Sequence, residues 1–478
     1  MKYLDKSLKE LSELIQSNKL DPKDLILESI ETAKQYQSTL NPFVTILEDF
    51  NLGSNTNSPL YGIPYALKDN FSTKGILSTG SSNTLKQYIP VFDSTVYSKL
   101  KNSGAVCIGK TVLDELALGG TGLNGHTGVV HNPYDLNRLS GGSSAGSAVA
   151  VSSGIVPFAI GSDTGDSVRK PAAYNGIVGY KPTWGKISRF GLFPFATSLD
   201  HVGIFTRNVL DLGFVFNCIK GYDSKDMSSL ENDNIDYTKL DTNLKGKKLG
   251  VIKTINNSIS NPLVKQNYLE TIEKIKQAGV EIVERDIDER LLKAILPTYL
   301  VISCSEATSN DACLDGIKYG TREDGDTYIK SIMNTRTNNF SELVKRRFVI
   351  GAYSLSSANQ ERIFKRAQKV RRLIVDSVKE IFKECDGIIF PAAGDISPLA
   401  SSTNNEKLSN EFLIGENHLA IANFGGFPSL TLPCGFVNNM PVAINITCDI
   451  FKDKECLDIS SGIEQVLGFK NQIKRVGE

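Results

Sequence analysis

The sequence predicts an α/β fold, on three observations. Apolar runs of strand length alternate with amphipathic runs of helical period along the chain. The stretch from Leu139 to Arg169 sets apolar Ala148 to Ala150 and Ile155 to Ile160 between two glycine and serine clusters, the pattern of one buried element closed by tight turns, since a flexible linker carries no such filling. The length of 478 residues leaves room for a large buried core in a single unit.

Two amphipathic helices open the chain. Leu8, Leu11, Leu14 and Ile15 mark the first, and Leu25, Ile26, Ile30 and Ala33 the second, with Pro22 suited to its first turn. Asn51 to Ser58 is a polar turn, after which Gly62 to Leu67 forms a strand-like run ending at Lys68. Residues 93–100 read as a helix and Ala105 to Gly109 as a buried strand. Gly119 to Gly128 reads as a glycine-rich loop, with His126 a polar loop residue. Beyond Thr206-Arg207-Asn208 a helix passes Val215 and Ile219 and ends near Gly221, and Tyr222 to Lys248 is a polar connector. A new α/β run follows, with a strand over Leu249 to Ile255, a helix over Pro262 to Ala278 and a strand over Val280 to Glu284. A long helix over Ser357 to Phe382 and strands at Gly387 to Pro391, Ser429 to Pro433 and Val442 to Thr447 complete it. The chain thus divides into an N-terminal helical region (1–60), a central portion with the chemical motifs (61–220), the connector (221–248) and a C-terminal half (249–478), all within one domain.

Lys plus Arg and Asp plus Glu both number 53, so the formal net charge is zero and no global field steers nucleic acid to this chain. The eight cysteines show no CxxC pair and no zinc spacing, and most lie in apolar runs, as free thiols in a reducing compartment do. The N-terminus is charged, and no window approaches the roughly 18 apolar residues of a membrane span. A soluble, cytoplasmic protein is expected, with no membrane partner.

The glycine and serine clusters contain no GxxxxGK[ST], and no lysine follows a glycine in either, which argues against a phosphate-binding loop. What remains is two serines, Ser143 and Ser167. None of the four histidines, His126, His131, His201 and His418, lies in a context resembling GxSxG or a Ser-His-Asp arrangement, so a base for a serine nucleophile must be sought elsewhere. Lys68 is the candidate, although its segment alone reads more readily as a solvated lysine at a strand end.

Lys68 in ALKDN, Ser143 in GGSSAGS and Ser167 in SDTGDSVRKPAAYNGIVGYKPTWG together resemble the Ser-cisSer-Lys triad of the amidase signature family, and the match runs from about Ser7 to the C-terminus. The resemblance implies the amidase signature fold, a central mixed β-sheet flanked by helices on both faces. It also implies Ser167 as nucleophile, Ser143 as the proton relay on a cis peptide bond and a neutral Lys68 as base. The backbone N–H groups of Thr164, Gly165, Asp166 and Ser167 would form the oxyanion hole, with aspartate at 166 where the family carries glycine. Within the family, Ile187 to Leu192, Ala196 to Gly203 and Leu314 to Gly320 resemble the A subunits of glutamyl-tRNA(Gln) or aspartyl-tRNA(Asn) amidotransferases. That implies glutamine, or else asparagine, as amide donor, with Tyr299, Arg347 and Glu416 binding it, Glu416 standing where relatives have aspartate. It further implies two partners, an ATP-using, tRNA-binding B subunit and a small C subunit. No cofactor or metal is implied in this chain, ATP and Mg belonging to the partner. The rival readings are a stand-alone amidase acting on another carboxamide and a catalytically silent scaffold, with Asp166 as a sign of decay.

Overall fold

The computed structural model describes residues 2–402 and 408–476. Its strands are β1 (Phe43–Ile46), β2 (Pro64–Lys68), β3 (Val106–Thr111), β4 (His131–Asn132), β5 (Asp135–Leu139), β6 (Phe158–Asp163), β7 (Val178–Lys181), β8 (His201–Thr206), β9 (Lys248–Ile252), β10 (Glu281–Arg285), β11 (Gly387–Pro391), β12 (Ser429–Val437) and β13 (Met440–Thr447). Eleven of them form one sheet in the order β1-β3-β2-β6-β8-β7-β12-β13-β11-β9-β10, and β4 and β5 pair separately. The sheet is mixed: β2 runs parallel to β3 and β6, β9 runs parallel to β10 and β11, and antiparallel pairs lie between these two groups. The junction of the two halves is β7 against β12, strands some 250 residues apart in sequence that pair Tyr180 with Leu430.

The two faces follow from the two-residue period of a strand. Tyr65 and Leu67 of β2, with Phe158 and Ile160 of β6, enter a core that continues through Leu430, Leu432 and Ile389. Ala66 and Ala159 point to the opposite face, against Ala148 to Val151. Farther along that opposite side Ile388 and Phe390 meet Ile302, Val344 and Ile374. Helices therefore cover both faces. Lys68, two residues on from Ala66, falls on the face where residues 145–152 pack.

Local signals account for the opening helices. Leu8–Gln16 starts with a reciprocal capping box between Ser7 and Glu10, and Pro22–Leu40 starts at Asp21 with Pro22 in its first turn. The structure corrects the reading of the central stretch. Leu139 to Arg169 holds two buried elements, the helix Ala145–Ser152 and the strand β6, joined by a turn at Gly154 with φ +73°. The strand expected to reach Ile255 ends at Ile252, and Lys253–Asn257 is helical. The helix expected from Ser357 begins as a π-helical turn at Gln360–Phe364 and becomes α-helical at Lys365. Within the polar connector, Tyr237 is buried, its ring centre 4.6 Å from that of Phe216 with the two planes tilted, so this segment is fastened to the core.

Candidate active site

Lys68 ends β2 with no solvent exposure, and four oxygens surround its Nζ. Ser143 Oγ lies at 2.7 Å, Ser144 Oγ and Ser162 Oγ at 2.9 Å, and the Ser162 carbonyl at 3.2 Å. Burial pushes the Lys68 amine down to about 7, against the carboxylates of Asp114, Asp163 and Asp200, which favour the charged form. The alternative of a solvated strand-end lysine is therefore wrong. Ser143 follows a cis peptide bond, Gly142–Ser143, just ahead of the helix Ala145–Ser152.

Ser167 lies in the turn between β6 and the helix Arg169–Tyr174, 3% exposed. Its carbonyl accepts the Ser144 N–H at 3.2 Å, which ties the two serine loops together. In the intervening loop, Thr164 Oγ1 donates to Asp200 Oδ1 at 2.7 Å, and Asp200 also accepts the N–H groups of Phe195 and Ala196. The N–H groups of Thr164, Gly165, Asp166 and Ser167 have no acceptor among the described residues, whereas the next one, Val168, bonds Asp163 Oδ2 at 3.0 Å.

Asp163 and Arg169 brace this loop from beneath. Both are fully buried, and the guanidinium grips the carboxylate through Nε at 3.1 Å and Nη2 at 3.0 Å while also donating to the carbonyls of Gly165 and Leu419. Burial raises the Asp163 carboxyl, and the Arg169 charge overrides it, holding the group well below the usual carboxylate range. Arg169 is thereby committed and is no partner for Asp166. Asp166 instead faces Lys170, whose Nζ lies 3.9 Å from Oδ2. Burial pushes the Asp166 carboxyl up to about 6, with Lys170 opposing; its 28% exposure moderates that shift.

The three expected substrate-binding residues fall into two groups. The Tyr299 ring, on the helix Ile295–Asn310, lies over Gly165 so closely that a Cβ there would meet it at 2.9 Å, and glycine is required for this approach. Arg347, on Glu342–Leu355, lies 5.8 Å from the centre of the Phe195 ring, with its buried Nη1 unpartnered among the described residues. Burial raises the Tyr299 phenol, and the Arg347 guanidinium works against it. Glu416 stands apart, its Oε2 accepting from Lys170 Nζ at 2.9 Å.

A sequence model described as Amidase matches residues 24–457. The chain belongs to the amidase family. Among its relatives are proteins named as the A subunit of glutamyl-tRNA(Gln) amidotransferase, from Sulfurihydrogenibium sp. and Thermoanaerobacter pseudethanolicus. Each is 36% identical over all of this chain and over 100% and 99% of its own length respectively. The crystal structure of the protein of that name from Thermotoga maritima superposes with a TM-score of 0.84 at 32% identity, covering 100% of this chain and 99% of that one. A peptide amidase from Stenotrophomonas maltophilia, 22% identical and covered at 99% in both chains, shares the fold with a TM-score of 0.81.

Several residues of this amidase site escape a reading of the sequence. Asp114 accepts the N–H groups of Thr121, Gly122 and Asn124 and donates its own N–H to the Ser143 carbonyl at 3.2 Å, fastening the glycine-rich loop to the serine loop. Ser162 bonds Lys68 and accepts from Asn70 Nδ2 at 3.0 Å. Asn423 donates to Asp163 Oδ1 at 2.9 Å. The local sequence around Asp114 and Asn423 carries no sign of these contacts. Ser162, beside Asp163 in the second cluster, is the one within reach.

Proposed function

We propose that this chain is the glutaminase component of a tRNA-dependent amidotransferase, releasing ammonia from glutamine to amidate Glu-tRNA(Gln), or Asp-tRNA(Asn). The observation that carries the catalytic reading is the buried Lys68 amine, held 2.7 Å from Ser143 Oγ with its pKa brought down to about 7. The acceptor reading rests on the full-length relatives and their names.

A lysine at its ordinary pKa of about 10.4 is neutral in fewer than one molecule in a thousand at pH 7, whereas at about 7 roughly half the molecules hold a free base. In the proposed reaction Ser167 Oγ attacks the carboxamide carbon as its proton passes to Ser143 Oγ, and the Ser143 proton passes to Lys68 Nζ. Negative charge develops on the carbonyl oxygen, where the unpaired N–H groups from Thr164 to Ser167 receive it. The C–N bond then breaks, ammonia leaves with a proton returned through Ser143, and water hydrolyses the acyl-serine to glutamate. Arg347, with a free donor beside Tyr299, suits the α-carboxylate. ATP, Mg and most of the tRNA contacts belong to the B subunit in this reading, with the C subunit completing the assembly.

Ammonia release from glutamine by the chain co-expressed with its B and C partners, beside a Ser167→Ala control, tests the proposal. Release that disappears in the control is expected. No release from the folded complex would overturn it and favour another carboxamide or a scaffold.

A further inference from the structure

The site carries more negative charge than one ammonium-binding carboxylate requires. Asp166 and Glu416, from loops 250 residues apart, converge on the single ammonium of Lys170, and each keeps 28% of its side chain exposed while Lys170 keeps 7%. Lys170 bonds the Glu416 carbonyl at 2.7 Å and Oε2 at 2.9 Å, which fixes the Glu416 backbone and one oxygen and leaves Oε1 without a hydrogen bond among the described residues. Asp166 receives no hydrogen bond on either carboxylate oxygen among the described residues, its contact with Lys170 being the 3.9 Å ion pair. Two carboxylates thus share one buried cation, and both have acceptor oxygens to spare. Asp166 is also the residue immediately before Ser167, and its charge is felt by Tyr299, whose ring covers Gly165. Beyond Tyr299 lies Arg347 with its unpartnered Nη1. The loop before the nucleophile is thus flanked by two carboxylates sharing one ammonium, and the Tyr299 ring that covers it feels the Arg347 guanidinium as well.

We propose that Asp166 is a specificity-determining residue for a zwitterionic amino-acid amide, adding its carboxylate to that of Glu416, whose contact with the substrate ammonium the family resemblance already implies, with Lys170 holding the two in place. The proposal rests on the glutaminase reading and sharpens it. A lone Glu416 paired to Lys170 is neutralised as a pair and attracts an ammonium weakly. Adding Asp166 restores one net negative charge beside the nucleophile. Asp166 is then neither decay nor an obstacle to the oxyanion, since its backbone N–H serves the loop while its side chain faces Lys170.

The test compares L-glutamine with 4-carbamoylbutanoate, the same carboxamide and carboxylate without the ammonium, as ammonia donors for the assembled complex. Wild type is expected to favour glutamine. Asp166→Asn should lower kcat/KM for glutamine about tenfold, the scale of one charge-assisted hydrogen bond, through KM, and so narrow the preference for glutamine over the deamino compound. Glu416→Gln should narrow the preference in the same way. If Asp166→Asn does not fold, as judged by its thermal melt, Asp166→Gly provides the same comparison. Equal losses of kcat on both donors would make Asp166 part of the oxyanion loop alone and overturn the proposal, as would an unchanged preference. Ammonia from neither donor in wild type would overturn the glutaminase reading itself, a result distinct from either of these.

Discussion

The chemistry proposed for this amidase turns on the protonation of one side chain, and its pH dependence has a definite sign. Lys68 serves as base only when neutral, and its pKa is brought to about 7. kcat/KM should therefore fall about tenfold per pH unit well below 7 and level off above it, which a pH profile of ammonia release checks. Lys68→Arg should remove at least about a hundredfold of activity, because a guanidinium does not give up its proton in this range. Ser144 supplies a subtler prediction. Its hydroxyl accepts from Lys68 at 2.9 Å and so favours the ammonium. Ser144→Ala should move the inflection of the profile below 7 while activity persists at higher pH, and an unmoved inflection would show that Ser144 does not tune the base. Lys68 and the two serines are legible in the sequence because each lies in a short local motif. Asp114 is not, because its link to the site is a bond from its backbone N–H to the Ser143 carbonyl, which only the tertiary fold brings near.

At the scale of elements, the segment from Leu139 to Arg169 shows where periodicity loses its information. Every residue of the helix Ala145–Ser152 and of β6 is buried, so neither displays the polar face that separates a period of 3.6 from a period of 2. The opening helices, each with an exposed face and a side-chain cap, are legible for the converse reason. The turn following β6 depends on the Asp163–Arg169 pair. Two buried charges, once paired, are costly to separate, because whichever remains is left without water. Arg169→Met should lower the unfolding free energy by about 3 to 5 kcal/mol in urea denaturation and loosen the loop from Thr164 to Ser167. Asp163→Asn with Arg169→Met should be less damaging than the sum of the two single changes, since the double variant buries no lone charge.

At the scale of the molecule, the proposed site is assembled from both halves of the sheet. Residues 68 to 167 supply the lysine and the serines, while Tyr299, Arg347 and Glu416 come from beyond the connector. The pairing of β7 with β12 that joins these halves has no local signature in either strand. The ends of the chain are fastened through a buried acid. Glu464, on the helix Asp453–Leu467, is 5% exposed, and its Oε1 accepts the first N–H of the helix Val209–Ile219 at 2.9 Å. Beside it Asp211 accepts the N–H groups of Leu8 and Lys9, so three helices meet at two carboxyls. Burial pushes the Glu464 carboxyl up to about 8, with Asp211 adding to the shift. A carboxyl with a raised folded-state pKa keeps its proton in the native protein after the unfolded chain has lost its own, near pH 4.5. Between that pH and about 8 the native state binds more protons than the unfolded state, and stability falls as pH rises. Glu464→Gln retains an acceptor for Val209 and removes the titration. The variant should match wild type near pH 5, melt at a higher temperature at pH 8, and show a flatter dependence of Tm on pH between them. Parallel Tm profiles for the two proteins would place the ionisation that governs stability in this range elsewhere in the molecule.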